Sequence, residues 1–183
     1  KQEPILILTD KELSFGKIFA DKNKIDENNP VIGINTGAGG RWQDKKLSEK
    51  DTAELIDKLN NEISNAKLLL FGGPGERERN KKIKNSIKSS IIDAGCDNSL
   101  MEFASLINLC NILVTSDSLA LHMGIALKKK IVAFFGPTSS AEIEIYDKGD
   151  KVIPKRGCLC CYKKKCDIPP EYSVDKIIEF VLK

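Results

Sequence analysis

Three stretches of this 183-residue chain carry residues whose types and spacing could do chemistry. In Asp117-Ser118-Leu119-Ala120-Leu121-His122, a carboxylate, a hydroxyl and the only histidine fall within six residues. Asp117 or Ser118 can cap a helix, and the free N–H groups and positive dipole end of such a helix favour phosphate. His122 follows Ser118 by one helical turn and shares roughly its face. The second stretch, Thr36-Gly37-Ala38-Gly39-Gly40-Arg41, leads on to Lys45 and Lys46. Its glycines let backbone approach a phosphate while the cations neutralise it. The third is the loop Gly157 to Cys166, with C-x-x-C-x4-C through Cys158, Cys161 and Cys166, and Cys160 in addition. Thiolates at that spacing can pair, stay reduced or hold a metal, although the adjacent Cys160 and Cys161 are poorly placed to reach one ion together. All three outcomes stay open. Cys96 and Cys110 lie in apolar surroundings and read as buried small hydrophobes.

These residues need elements to position them. The apolar runs Ile112 to Thr115 and Ile131 to Phe135 read as strands, and Leu119 to Leu127 between them as a helix. Two strands joined this way are parallel, with a right-handed crossover. The helix is apolar on nearly every side and is expected to be buried, which by itself would make His122 a core histidine. Upstream, Val31 to Asn35 and Lys67 to Phe71 read as buried strands, and Ile91-Ile92 as a short one. Ser48-Glu49-Lys50-Asp51 starts a helix to about Ile63, and Asn98 or Ser99 starts another. Ser139 to Tyr146 is expected to form a short helix, and Ser173 to cap a last amphipathic one. Repeated β-α units imply an α/β fold, an open parallel sheet with helices on both faces. Its ligand crevice lies at the carboxyl ends of the strands. Thr36, Lys45, Glu76, Ser99, Asp117, Ser118 and His122 all fall there.

The N-terminal 29 residues read as a tail or interdomain connection with a short strand (in Pro4 to Thr9) and a helix (Lys11 to Lys22 on Leu13, Ile18 and Phe19). The polar Lys22 to Pro30 is linker-like, and residues 30–183 form the main domain, with a cysteine-rich loop at 157–170. Apolar content of 41% and charged content of 30% fit a soluble globular protein. No apolar run approaches the ~18 residues of a membrane span. With no signal-peptide pattern and no initiator methionine, the chain reads as a piece or a processed product, in a reducing cytoplasm. A net charge of +3 is too small for a general nucleic-acid binder. The charge is uneven, with seven Lys or Arg against one Asp from Lys148 to Lys165. That run is either a solvated surface or a contact for a phosphorylated acceptor or an anionic membrane face.

The run D-S-x-x-x-H, then V-A-F-F-G-P-T, resembles glycosyltransferase family 9, the lipopolysaccharide heptosyltransferases. The loop T-G-A-G-G-R-W-Q-D-K-K-L is similar to that family's G-A-x-x-x-R-W-x-x-K-x-(W/L). The resemblance covers about residues 30–183. It implies the Rossmann-like C-terminal domain of a two-domain GT-B glycosyltransferase, inverting and needing no metal or cofactor. The donor would be an ADP-sugar such as ADP-heptose, and the acceptor a lipid-linked or phosphorylated saccharide at the inner face of the cytoplasmic membrane. The catalytic base would belong to the acceptor-binding half, outside this chain. Carried over by position, Thr36, Gly37, Arg41 and Lys45 would meet the diphosphate, with Trp42 anchoring their loop. Glu76 would meet the ribose, and Asn98, Ser99 and Leu100 the base. Ser118 and Leu119 would present helix N–H groups, and Asp117 and His122 would face the sugar. Leu119 stands where the family pattern has glycine. The cysteine loop has counterparts in many members, with no general catalytic role. The rivals are a nucleotide-sugar epimerase on the same architecture and a non-enzymatic module whose diphosphate site Leu119 has spoiled. A dinucleotide dehydrogenase is disfavoured because no G-x-G-x-x-G follows a strand.

Overall fold

The computed structural model describes residues 2–183. Six strands form one all-parallel sheet: β1 (Val31–Asn35), β2 (Lys67–Phe71), β3 (Ile92–Asp93), β4 (Ile112–Ser116), β5 (Lys130–Phe134) and β6 (Gly149–Val152). Their order is β3-β2-β1-β4-β5-β6. The helices are α1 (Asp10–Lys22), α2 (Glu49–Glu62), α3 (Arg77–Ser86), α4 (Leu100–Asn108), α5 (Leu119–Ala126) and α6 (Val174–Leu182). This is a Rossmann-like α/β fold.

The strands are apolar on both faces because both faces are covered. Alternation sorts Ile32, Ile34, Leu68, Leu70, Val114 and Val132 onto one side, with Leu55, Ile56 and Leu59 of α2 and Ile177 of α6. Leu69, Phe71, Leu113, Ile131 and Ala133 face the other side, against Leu106 and Ile107 of α4 and Leu121 and Ile125 of α5. Fully burying one such side chain contributes about 1.5–3 kcal/mol. At Gly124, α5 lies so close to the sheet that a Cβ would stand 2.7 Å from Leu113 Cδ2 and 2.8 Å from Ile131 Cδ1. That contact fixes where the start of α5 points.

Three local expectations need correction. Pro4 to Thr9 forms no strand: among the described residues, its one backbone-to-backbone hydrogen bond to the sheet and its helices is Leu6 N to Ala126 O at 3.1 Å, too little for a ladder. In α1, Phe15 and Phe19 pack on the domain, whereas Leu13 and Ile18 stay exposed. Ser139 to Tyr146 yields only a 3-10 turn, Ser140–Glu142, before the chain turns at Tyr146 and Asp147, both at positive φ. Among the described residues, no helix is long and apolar enough to cross a membrane.

Candidate functional site

The sheet order reverses between β1 and β4: the chain builds outward from β1 to β3, then returns to lay β4 on the other side of β1. A crevice must open where the loops leaving those two strands diverge. A cleft of about 500 Å³ lies there, walled by the Gly37 to Gly40 loop, the turn Gly72 to Glu76, and the starts of α4 and α5.

Asn35, the last residue of β1, ties the crevice together. Its amide donates to Gly37 O (2.8 Å), Thr115 Oγ1 (3.0 Å) and Ser118 Oγ (3.3 Å). Ser118 is the N-cap of α5, yet its hydroxyl accepts no helix N–H and instead lies 3.0 Å from Thr115 Oγ1. The first turn of α5 is therefore left without a side-chain cap where Ser118, Leu119 and Ala120 line the cleft. Unsatisfied N–H groups and the dipole together make that end attractive to an anion. The start of α4 is closed by contrast. Ser99 and Glu102 form a reciprocal capping box, so Ser99 is occupied while Asn98, Leu100 and Phe103 face the cleft. Leu100 and Leu119 are 56% and 55% exposed, which gives the cleft an open apolar rim suited to a flat ring.

Charge enters through Lys46 and Glu76. Lys46 Nζ lies 2.7 Å from Glu76 Oε1, both side chains are 10% exposed, and Glu76 Oε2 accepts from Gly73 N at 3.1 Å. Both residues line the cleft. Asn35 was not singled out in the sequence, and Lys46 was read there only as one of the cations of the glycine loop, with no position in the carry-over from the family. The polar end of an apolar strand was a signal for the first, and the tandem Lys45-Lys46 for the second.

Several residues singled out earlier face elsewhere. Thr36 is buried, its hydroxyl turned toward β2 within hydrogen-bond distance of Phe71 O and Asn80 Oδ1. Arg41 is exposed and stacks over Trp42, 4.4 Å from the ring centroid. The 3-10 turn Gln43–Lys45 directs Lys45 inward, its Nζ 4.6 Å from the Trp42 ring centroid. There Lys45 Nζ donates to Asp117 Oδ2 at 2.6 Å and to Asp117 O at 3.3 Å. Thr138 Oγ1 also donates to Asp117 Oδ2, at 2.7 Å. Burial raises the Asp117 pKa, but the hydrogen bonds from Lys45 and Thr138 outweigh it and hold the carboxyl below its ordinary range. Gly37, Glu76, Asn98, Leu100, Ser118 and Leu119 are brought together in the cleft; Thr36, Arg41, Lys45, Ser99, Asp117 and His122 do not line it.

His122 corrects the expectation of a helix buried all round. Its side chain is 59% exposed, with Nε2 4.0 Å from Asp117 Oδ1. It opens onto a separate hollow of about 320 Å³, beside Ile125, Glu142 and Tyr146. Asp117 lines neither the cleft nor the hollow; it is bonded to Lys45 and Thr138 and approached by His122. The exposed Leu119 and His122 lie on the open flank of α5, while Leu121, Ile125 and Gly124 take the sheet side.

In the cysteine loop, Cys158 and Cys161 are joined as a disulfide, and Cys166 is a buried free thiol. Cys160, the fourth member of the set considered for a metal, is exposed at a positive φ and points away from the others' cluster. Cys96 and Cys110 are buried, and burial pushes the Cys110 thiol up to about 12.

A family model described as glycosyltransferase family 9 (heptosyltransferase) matches residues 8–171. Lipooligosaccharide heptosyltransferase 2 of Campylobacter jejuni (serotype O:6, strain 81116) is 24% identical over 195 residues, covering 92% of this chain and 57% of that protein. Among solved structures, E. coli ADP-heptose LPS heptosyltransferase II superposes with a TM-score of 0.75 at 21% identity, covering 98% of this chain and 52% of that one. E. coli heptosyltransferase WaaC with ADP gives a TM-score of 0.60 at 18% identity, covering 85% and 44%. At these identities the structural likeness speaks for the fold. The chain spans little more than half the length of the curated relatives it matches.

Proposed function

We propose that this chain, which belongs to glycosyltransferase family 9, is the C-terminal, donor-binding domain of an inverting GT-B glycosyltransferase of the heptosyltransferase type. Its donor is an ADP-activated heptose or a related ADP-sugar, and its acceptor a lipopolysaccharide-type saccharide. Residues 30–183 form the donor domain, and residues 1–29 connect it to an acceptor-binding half that supplies the catalytic base. The observation that carries this reading is the uncapped start of α5 opening into the switch-point cleft beside Lys46.

In this reading the adenine lies along Leu100 and Phe103, the ribose meets Glu76 near Asn98, and the diphosphate sits at Gly37 and the N–H groups of α5. Transfer needs the acceptor hydroxyl, deprotonated by the partner half, to attack the anomeric carbon while the bond to the diphosphate breaks. Negative charge then grows on the leaving phosphate, where fixed N–H dipoles and the Lys46 ammonium stabilise it without reorganising. Lys45 acts indirectly, holding Asp117 and so the approach to α5; Asp117 and His122 lie on the side toward the sugar. The E. coli structures named for ADP and ADP-heptose support the choice of nucleotide. Exposed Lys155, Arg156 and Lys163 to Lys165 give this face a positive field for a phosphorylated acceptor or the inner face of the cytoplasmic membrane.

The test is calorimetric titration of the chain with ADP, UDP and GDP, repeated with Lys46→Ala. Selective ADP binding that weakens in the variant is the expected result. Equal binding of all three nucleotides, or ADP affinity indifferent to Lys46, would remove the assignment of the cleft.

A further inference from the structure

The cysteine loop brings three sulfurs together in a way that one disulfide does not use. Those of Cys158, Cys161 and Cys166 all lie within 4.8 Å of one another. Main-chain bonds build the convergence. Cys158 N donates to Ile168 O (2.9 Å) and Lys155 N to Glu171 O (2.9 Å), folding the end of the loop back over its beginning. Cys166 N donates to Asp44 Oδ2 at 2.6 Å, which seats that buried thiol against the turn carrying Lys45. Cys160 N is held by Gly136 O at 2.8 Å, so the Cys160 side chain is turned outward. Tyr172 is buried beneath the loop, and its hydroxyl has no hydrogen-bond partner among the described residues.

We infer that, in its reduced form, the loop is a binding site for a thiophilic divalent cation, zinc foremost, with Cys158, Cys161 and Cys166 as ligands. Zinc–sulfur bonds of about 2.3 Å at tetrahedral angles put sulfurs roughly 3.8 Å apart. The Cys161 to Cys166 separation is 3.6 Å, already near that spacing. Reduction by a dithiol passes two electrons and two protons to the Cys158–Cys161 bond, leaving two thiols and the oxidised dithiol. The cation then displaces one proton from each of the three thiols. Three thiolates favour zinc over magnesium or calcium and leave one tetrahedral position to solvent. Bound there, the cation would tie the two ends of the loop together. Cys160 N and Tyr162 N hold Gly136 O and Pro137 O, both at 2.8 Å, so the loop braces the segment leading to Thr138 as well as the turn at Asp44. The inference does not depend on what the cleft binds.

The test is metal analysis of the full chain, purified under a dithiol reductant, incubated with zinc and desalted. The expected result is about one zinc per chain in the wild type and Cys160→Ser, falling to under about a tenth in Cys166→Ser. Cobalt loading of the wild type gives a readout independent of any variant's folding: thiolate-to-cobalt charge-transfer absorption with tetrahedral ligand-field bands. Absence of both zinc and the cobalt bands in the reduced wild type would overturn the site. Zinc that survives Cys166→Ser but leaves with Cys160→Ser would overturn the ligand set.

Discussion

Lys45 and Lys46 are neighbours in sequence and end in two different ion pairs. Lys45 reaches Asp117 at the end of β4, with the pair 8% and 16% exposed and a third partner in Thr138. Lys46 reaches Glu76 after β2, equally shielded in the isolated chain but on the wall of the cleft. The first pair is a clamp: it fixes the glycine loop to the segment that begins α5. The second can be opened by a ligand, because an incoming phosphate can replace the Glu76 carboxylate on the ammonium while Glu76 turns to other donors. On the proposed reading, the work at this site divides between a residue that holds shape and a neighbour placed to meet the ligand.

The sharpest way to break that contrast is Lys45→Met. It leaves the Asp117 carboxylate with Thr138 alone in a mostly buried position, and we expect a loss of roughly 3 kcal/mol in urea unfolding. The double variant Lys45→Met/Asp117→Leu should recover most of it, since no charge is then stranded. A single-variant loss near zero would show that Asp117 is well hydrated and that the clamp is nominal.

Lys46→Ala should behave differently. Water entering through the cleft can solvate Glu76, so the stability cost is smaller, about 1 kcal/mol. ADP affinity should fall roughly 10- to 100-fold with loss of a charge-assisted contact to phosphate. Calorimetry and unfolding on the same samples separate the two lysines: one variant moves mainly the midpoint, the other mainly Kd.

Much of this was legible in the sequence, and the failures share a cause. Buried parallel strands announce themselves as apolar runs, and Ser48, Ser99 and Ser173 mark the helix starts that the structure realises. The run from Asp117 to His122 pointed to the start of α5 for a stated physical reason. Which way each side chain faces was not legible. A single 3-10 turn decides that Lys45 points inward and Lys46 to the cleft, and the exit from β1 ties Thr36 to Phe71 O at the end of β2 and so turns it away. α5 is apolar on all sides in composition, so periodicity offered no face, and the exposure of His122 follows only from how Gly124 seats the helix.

The clamp should also carry a pH signature. Asp117 has its folded pKa below the unfolded value, so its stabilisation is fully present above the ordinary aspartate range. As pH falls through that range and on through the lowered value, the contribution is lost. Comparing wild type with Asp117→Asn between about pH 7 and about pH 3 should show a stability difference that shrinks on acidification. A difference that stays constant would mean that the charge of Asp117 contributes nothing.

The smallest effect belongs to Leu119, the residue standing where the family pattern has glycine. Its side chain is 55% exposed and lines the cleft directly over the uncapped first turn of α5. Removing it in Leu119→Gly opens the helix N–H groups to a closer phosphate, but glycine at the start of a short helix costs up to about 1 kcal/mol of helix stability. The two effects oppose, and only the first acts on Kd at fixed folding. We expect a two- to five-fold tightening for ADP, about 0.4–1 kcal/mol, with little change for adenosine, which has no diphosphate to gain from the opening. If adenosine gains as much as ADP, Leu119 screens the base side of the cleft and the diphosphate lies elsewhere. If ADP binds more weakly, the leucine is itself a contact, and the chain has replaced a close backbone approach with an apolar one.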